Sequence, residues 1–242
     1  MRDYNKEYKD NSRKYSYDFD NILRNFMMRS FLPFIHKEEN GLEMGCYKGD
    51  FTEILVRHFK NLTVIEASDE LAKLTQIRVG KNVKFIHSVF ETLELTKKYD
   101  NIFLLHTLEH LDDPILVLKK INGWLSEKGR LFVCVPNANA PSRQIAVKMG
   151  LIDFNSAITN AEKEHGHRKT YSIDTLEKDA VDAGLNIIYR GGVFFKALAN
   201  FQFDKLRETD IITDEYLEGC YKLGMIYPDL CASIYLVCKK GK

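Results

Sequence analysis

Residues 40–51 read NGLEMGCYKGDF, and the fold turns on how they are parsed. The apolar residues Leu42 and Met44 end a buried parallel strand, Gly45 and Gly49 bound a turn, and an amphipathic stretch begins at Phe51. The order is strand, glycine turn, helix start. Glycine has no Cβ to collide with a ligand and tolerates positive φ, so such a turn lets backbone approach a bound molecule closely. The helix start presents unpaired N–H groups to a carboxylate or another anion.

Working outward, residues 62–65 form a second apolar run that ends in Glu66. An acid about twenty residues past the first glycine, at the end of a second parallel strand, meets ribose hydroxyls, and a carboxylate accepts two of them at once. A nucleoside-containing cofactor follows. The spacing argues against a dinucleotide: a pyrophosphate turn needs G-x-G-x-x-G, and this chain has Gly45-Cys46-Tyr47-Lys48-Gly49. An NAD-type oxidoreductase would thus lack its third glycine.

The pattern is instead Glu43-x-Gly45-x-x-x-Gly49. It resembles motif I of the class I S-adenosylmethionine-dependent methyltransferases, with Tyr47 where many members have glycine. The likeness runs the length of the chain. After strand four, the segment LEHLDDP (residues 108–114) resembles the corresponding motif of small-molecule methyltransferases, including the ubiquinone O-methyltransferase type, and a Pro- and Asn-rich loop follows strand five. Residues 137–151 and 164–177 further resemble methyltransferases of bacterial surface-polysaccharide gene clusters.

The resemblance implies an α/β, Rossmann-like fold: a seven-stranded, mostly parallel sheet flanked by helices, with an N-terminal helical arm and a lid insertion after strand five. It implies S-adenosyl-L-methionine as cofactor, with Glu43, Gly45, Cys46 and Gly49 at the turn, Glu66 and Ala67 at the ribose, Ser88, Val89 and Phe90 around the adenine, and His106 beside the sulfonium. Many members carry an acid where this chain has Ser88. A scaffold that had given up catalysis would be expected to have lost Glu43, Gly45 or Glu66, and all three are present.

At 242 residues, 45% hydrophobic and 29% charged, the chain suits one domain with a substantial core. A net charge of +1 without single-sign blocks argues against a nucleic-acid polymer as partner. The five cysteines show no C-x-x-C spacing and read as reduced thiols of a cytoplasmic protein. No apolar run is long enough to span a membrane, and MRDYNKEYKD is too polar for a signal peptide.

We divide the chain into residues 1–38 (N-terminal arm and helix), 39–135 (cofactor-binding core), 136–171 (lid and acceptor loop) and 172–242 (C-terminal sheet with helical excursions). The tyrosine-rich residues 1–20 are either a frayed arm or one that folds over the cofactor. Residues 21–36 show helical apolar spacing interrupted by Pro33, and Arg29 beside that stripe is a solvated charge or a partner of the cofactor carboxylate. Further helices are expected over residues 69–79, 115–125 (closed by Gly129) and 173–183, and strands over 83–86, 99–105, 131–135, 185–189 and 233–238. Residues 194–206 and 211–223 read as helical excursions.

Methyl transfer from a sulfonium is a direct displacement, so the protein must hold the acceptor in line and exclude water. A hydroxyl acceptor also needs its proton removed, a task that suits histidine. His165 and His167, in a loop expected to face the crevice, are candidates for that base, or only hydrogen-bond backbone. A neutral amine, as on an amino sugar, needs a base much less. Asn137, Asn139, Arg143, Arg168 and Lys196 are candidates for holding a small-molecule acceptor, a sugar, a nucleotide-linked intermediate or a phosphoryl-type group. His106, Glu109 and His110, spaced i, i+3 and i+4, would share one helical face and form a divalent-metal site with His165 or His167. The acceptor and the oligomeric state are not written in the chain.

Overall fold

The computed structural model describes residues 5, 17–36 and 39–241. Seven strands form one sheet in the order β3-β2-β1-β4-β5-β7-β6. They are β1 (Gly41–Met44), β2 (Leu62–Glu66), β3 (Lys84–His87), β4 (Tyr99–Leu105), β5 (Leu125–Pro136), β6 (Asn186–Phe195) and β7 (Cys231–Lys239). β1 pairs in parallel with β2 and β4, and β7 alone runs antiparallel, between β5 and β6. This is the Rossmann-like arrangement expected from the sequence. Because β1 leads outward to β2 on one side and has β4 on the other, the carboxyl ends of β1 and β4 open a crevice.

Both faces of the sheet are covered, and the strands show it by alternation. Ile102 and Leu104 of β4, with Leu131, Val133 and Val135 of β5, enter one core. There they meet Val117, Leu118 and Trp124 of α4 (Pro114–Trp124) and Leu176 and Ala180 of α7 (Ile173–Asp182). Phe103, Phe132 and Cys134 enter the other core with Phe19, Leu23, Met27 and Phe31 of α1 (Asp18–Phe31). The Phe103 and Phe132 rings stack at 4.9 Å and Phe31 packs 5.3 Å from Phe132, so α1 is fastened to the middle of the sheet. Each fully buried ring is worth roughly 1.5–3 kcal/mol of hydrophobic stabilisation.

Local chemistry sets the helix ends. Ser68 accepts from the Leu71 N–H to start α3 (Asp69–Val79), and Asp113 accepts from the Leu116 N–H ahead of Pro114 in α4. Ser172 and Thr175 form a reciprocal cap on α7. The remaining helices are α2 (Thr52–Leu55), α5 (Pro141–Lys148), α6 (Asn160–Glu164), α8 (Asn200–Arg207) and α9 (Asp214–Ile226).

Several boundaries differ from the sequence reading. The first helix starts at Asp18 and ends at Phe31, with Pro33 inside a 3-10 turn (Leu32–Phe34). The stretch after Phe51 is a single turn, too short to offer a helix-terminal anion site. Gly129 does not close α4. It lies inside β5, where an added Cβ would sit 2.7 Å from the Tyr99 carbonyl. Phe194 and Phe195 are strand, not helix. β6 runs straight through Gly191 and Gly192, since those glycines make room for the Tyr235 ring and the Pro228 carbonyl rather than ending the strand. Of the N-terminal arm, Asn5 is described, its Oδ1 accepting from Ser68 Oγ at 2.6 Å; Tyr4, Tyr8 and Tyr15 lie outside the described residues.

Candidate active site

The glycine turn is built around a carboxylate. Gly45 and Gly49 have φ of +81° and +84°, and a Cβ on either would drive into Thr107 Oγ1 (2.8 Å) or Thr75 Cγ2 (2.7 Å). Tyr47 between them also has positive φ, 49°, which a bulky L-residue adopts only under strain. The turn amides point inward: Cys46 N and Tyr47 N donate to Glu66 Oε2 at 3.0 and 3.2 Å, and Ser68 N donates to Oε1 at 3.0 Å. Glu66 thus stands at the end of β2 as expected, with a second job. Of its roughly four lone-pair positions three are filled by backbone, which leaves one position open on Oε1.

Glu43 is buried at 3% exposure, and its Oε2 has no partner. Burial, followed by the nearby charge of Glu66, raises its pKa to about 8. Interaction with the Thr52 side chain works against that rise, and a polar ligand group at the glycine turn would satisfy the buried Oε2. Arg24 of α1, which sequence reasoning passed over for Arg29, approaches this corner. It lies 3.5 Å from Asp50 and its charge reaches both Glu43 and His106. Arg29 instead pairs with Glu218 on the surface at 2.5 Å. Only its place beside the buried Leu23 on the helix marks Arg24 in sequence.

Along the crevice, His87 Nε2 meets the Ala67 carbonyl at 2.9 Å, and Ser88 N donates to the Glu66 carbonyl at 3.2 Å. Ser88 and Val89 follow the carboxyl end of β3, and Ser88 Oγ donates to the Val89 carbonyl at 3.1 Å. Phe90 is 6% exposed and belongs to the core that also holds Leu104 and Leu108. At the end of β4, His106 adopts φ of +48°, donates its N–H to the Cys134 carbonyl at 2.8 Å, and places Nε2 2.9 Å from Ser233 Oγ. Enclosure of its ring, reinforced by Arg24, His167 and Lys196, lowers its pKa to about 3 and keeps it neutral. Ser233, 127 residues away, carried no sequence signal.

The expected metal set is not brought together. Residues 108–110 form a 3-10 turn after the positive-φ His106, so i, i+3 and i+4 do not share a face, and His106 turns to Ser233. The group that does converge is Glu109, His110 and His167, one ligand atom of each within 4.8 Å of the others. Glu109 is 2% exposed, its Oε2 lacks a partner, and burial raises its pKa to about 8. The His110 and His167 rings meet edge to face at 4.6 Å. Backbone holds this arrangement, with Arg168 N donating to the Glu109 carbonyl at 2.8 Å and His167 N to the Glu162 carbonyl at 2.9 Å. Burial lowers the His167 pKa below that of free imidazole. His165 caps α6 next to it.

Most of the residues expected to hold an acceptor have structural work. Asn137 donates to the Asp229 and Cys231 carbonyls at 2.7 and 2.9 Å and accepts from Asn139 N at 2.9 Å, which leaves its amide no free hydrogen. Arg143 holds the lid: its guanidinium binds the Asn155 and Ala157 carbonyls and pairs with Glu162 at 2.6 Å. Arg168 is an exposed partner of Asp112 at 2.6 Å. Lys196 is 9% exposed, bound to Asn200 Oδ1 beside Asp20, and burial lowers its pKa to about 8. Asn139 borders a cleft under the lid.

A family model described as a methyltransferase domain matches residues 13–190, well over half of the chain. The chain belongs to this methyltransferase family. The enzyme is 25% identical over 175 residues to the ubiquinone biosynthesis O-methyltransferase of Aeromonas salmonicida, which covers 70% of this chain and 72% of that one. It is 28% identical over 98 residues to (S)-tetrahydroprotoberberine N-methyltransferase of Eschscholzia californica, 38% of this chain and 28% of that one. In fold it resembles the N-methyltransferase NodS of Bradyrhizobium japonicum WM9 in complex with S-adenosyl-L-homocysteine, with a TM-score of 0.62, 16% identity, and 98% and 97% of the two chains covered. The methyltransferase uses S-adenosylmethionine, and the glycine turn, Glu66 and the buried Glu43 Oε2 fit that cofactor. All five cysteines are free thiols, and among the described residues no helix is long and apolar enough to cross a membrane.

Proposed function

We propose that the methyltransferase O-methylates a hydroxyl of a small polar acceptor, a sugar or nucleotide-linked sugar, in the cytoplasm, with His167 as the base. The observation that supports this reading is the convergence of His167 with His110 and Glu109, with burial favouring its neutral imidazole. The cofactor supplies an electrophilic methyl group, and the chain's residues have to hold the acceptor and take its proton. Glu66 anchors the ribose through the free position on Oε1, and Arg24 faces the cofactor carboxylate. Neutral His106, held by Ser233, presents a dipole rather than a cation near the sulfonium, which avoids like-charge repulsion there.

The test is calorimetric titration with S-adenosylmethionine and S-adenosylhomocysteine, followed by turnover on hydroxyl and amine acceptors. Micromolar binding, about −8 kcal/mol, is expected. His167→Ala should lower turnover on a hydroxyl acceptor by about 10²–10⁴-fold with cofactor affinity unchanged. Since a base must be deprotonated and burial depresses this one, the acid limb of kcat/KM should fall below about pH 6.5. Normal turnover in both His167→Ala and His165→Ala would dismiss the base, and amine-only activity would favour the N-methyl alternative. One observation favours a second reading, a divalent cation on Glu109, His110 and His167, and a chelator arm reads it: loss of turnover restored by added metal is the expected sign.

A further inference from the structure

Beneath the lid lies a cleft of about 540 Å³ that the methyl-transfer chemistry leaves unused. Its walls come from the loop after β5 (Asn139), the segment between α5 and α6 (Asp153, Phe154 and Ser156) and the strand-like stretch after His167 (Thr170). The volume suits a small-molecule ligand. Its chemistry is selective. No lysine or arginine lines it among the described residues, so a phosphate or carboxylate finds no counter-charge. Among the described residues the side-chain oxygens of Asp153, Ser156 and Thr170 engage no protein partner. Carboxylate, amide and hydroxyls together give a mixed set of donors and acceptors. Phe154 stands 58% exposed at the wall, with an apolar face free.

We propose that this cleft is a subsite for an uncharged, hydroxyl-rich ring, a sugar residue of the acceptor. Vicinal hydroxyls both donate and accept, which matches Asp153 (acceptor only) beside Asn139, Ser156 and Thr170 (both), and the C–H face of the ring lies on Phe154. A simple amine would use Asp153 and Phe154 and leave the hydroxyl groups of the wall without partners.

The cleft is tied to the candidate base. Arg143 binds the carbonyls of Asn155 and Ala157, which flank Ser156, and pairs with Glu162 at 2.6 Å; the Glu162 carbonyl in turn accepts from His167 N at 2.9 Å. Thr170 follows His167 by three residues. Wall and histidine are therefore linked through one ion pair. This inference deepens the O-methyl reading and rests on it for the acceptor's role.

The experiment is saturation-transfer NMR on the full chain with neutral methyl hexopyranosides, with putrescine and glucose 1-phosphate as cationic and anionic comparators, on wild type, Phe154→Ala and Asp153→Asn. Both side chains are exposed, so the variants keep the fold. The expected result is binding of at least one glycoside, weakened five-fold or more in each variant, with the two charged probes weaker. Absence of transfer from every glycoside, equal transfer in both variants, or preference for putrescine or the phosphate would each overturn the subsite. Turnover on hydroxyl and amine acceptors with the same samples separates the two claims. Glycoside binding with amine-only turnover would sink the O-methyl reading alone, and turnover on a hydroxyl acceptor without glycoside binding would sink the subsite alone.

Discussion

The cofactor side and the acceptor side of the crevice are held together in opposite ways. At the glycine turn the decisive bonds run from backbone amides to one side chain about twenty residues away, from Cys46 and Tyr47 to Glu66. On the acceptor side they run between side chains and loops far apart in sequence: Asn137 to Asp229 and Cys231, Asn200 to Asp20 and Phe19 N to Asp204. A site written in short-range backbone chemistry tolerates little change of residue. One assembled by long-range pairs can be re-equipped for another acceptor while the sheet and the turn stay put.

The strongest way to break that contrast is Glu66→Ala. It leaves three N–H groups at the turn without their acceptor and removes the ribose contact together. A buried donor without a partner costs about 1–3 kcal/mol and two of the three, Cys46 N and Ser68 N, are buried, so a stability loss of about 2–6 kcal/mol is expected, with a cofactor affinity at least ten-fold weaker. Urea unfolding and calorimetry read the two. Full stability with weakened binding would mean that Glu66 serves the cofactor alone and that the turn holds itself.

Arg24→Ala gives a smaller effect. The pair with Asp50 is 3.5 Å long and partly exposed, so stability should change by under about 1 kcal/mol. If Arg24 meets the cofactor carboxylate, affinity for S-adenosylhomocysteine falls about ten-fold, while Arg29→Ala, on the surface with Glu218, leaves it unchanged. Equal effects of the two variants would remove Arg24 from the site.

The same contrast explains what the sequence made legible. Strand β4 and helix α3 are local signals, and each stands where the spacing placed it. Gly45, Gly49 and Glu66 could be read because their geometry is a property of one βαβ unit. The roles of Asn137 and Arg143 could not be read: residue type suggested ligand contacts, and only the folded neighbours show their donors already taken. Gly191 and Gly192 misled for a related reason. The strand continues through them because the Tyr235 ring needs the space at Gly191 and the Pro228 carbonyl needs it at Gly192, neighbours that lie far along the chain. His106 looked like a member of a helical triad because the positive φ that breaks the turn is not written in its side chain.

The smallest effect, and the one that sharpens the comparison most, is expected for Tyr47→Gly. Tyr47 holds φ of 49° where many members of the family have glycine, and its carbonyl accepts from Thr75 Oγ1 at 3.1 Å. A left-handed backbone costs a non-glycine residue about 1–2 kcal/mol, and glycine gives back roughly 0.5–1 kcal/mol through its freer unfolded chain. The ring is half-buried with the Lys48 ammonium 5.4 Å from its centre, a contact worth about 0.5–1 kcal/mol at an exposed site. These nearly cancel, so stability should stay within about 1 kcal/mol of wild type in urea unfolding. Since Glu66 rather than the tyrosine ring organises the turn amides, cofactor affinity should change by less than about five-fold. A loss beyond 1 kcal/mol would show that the ring anchors the turn, and the cofactor side would then depend on a side chain as specific as any on the acceptor side.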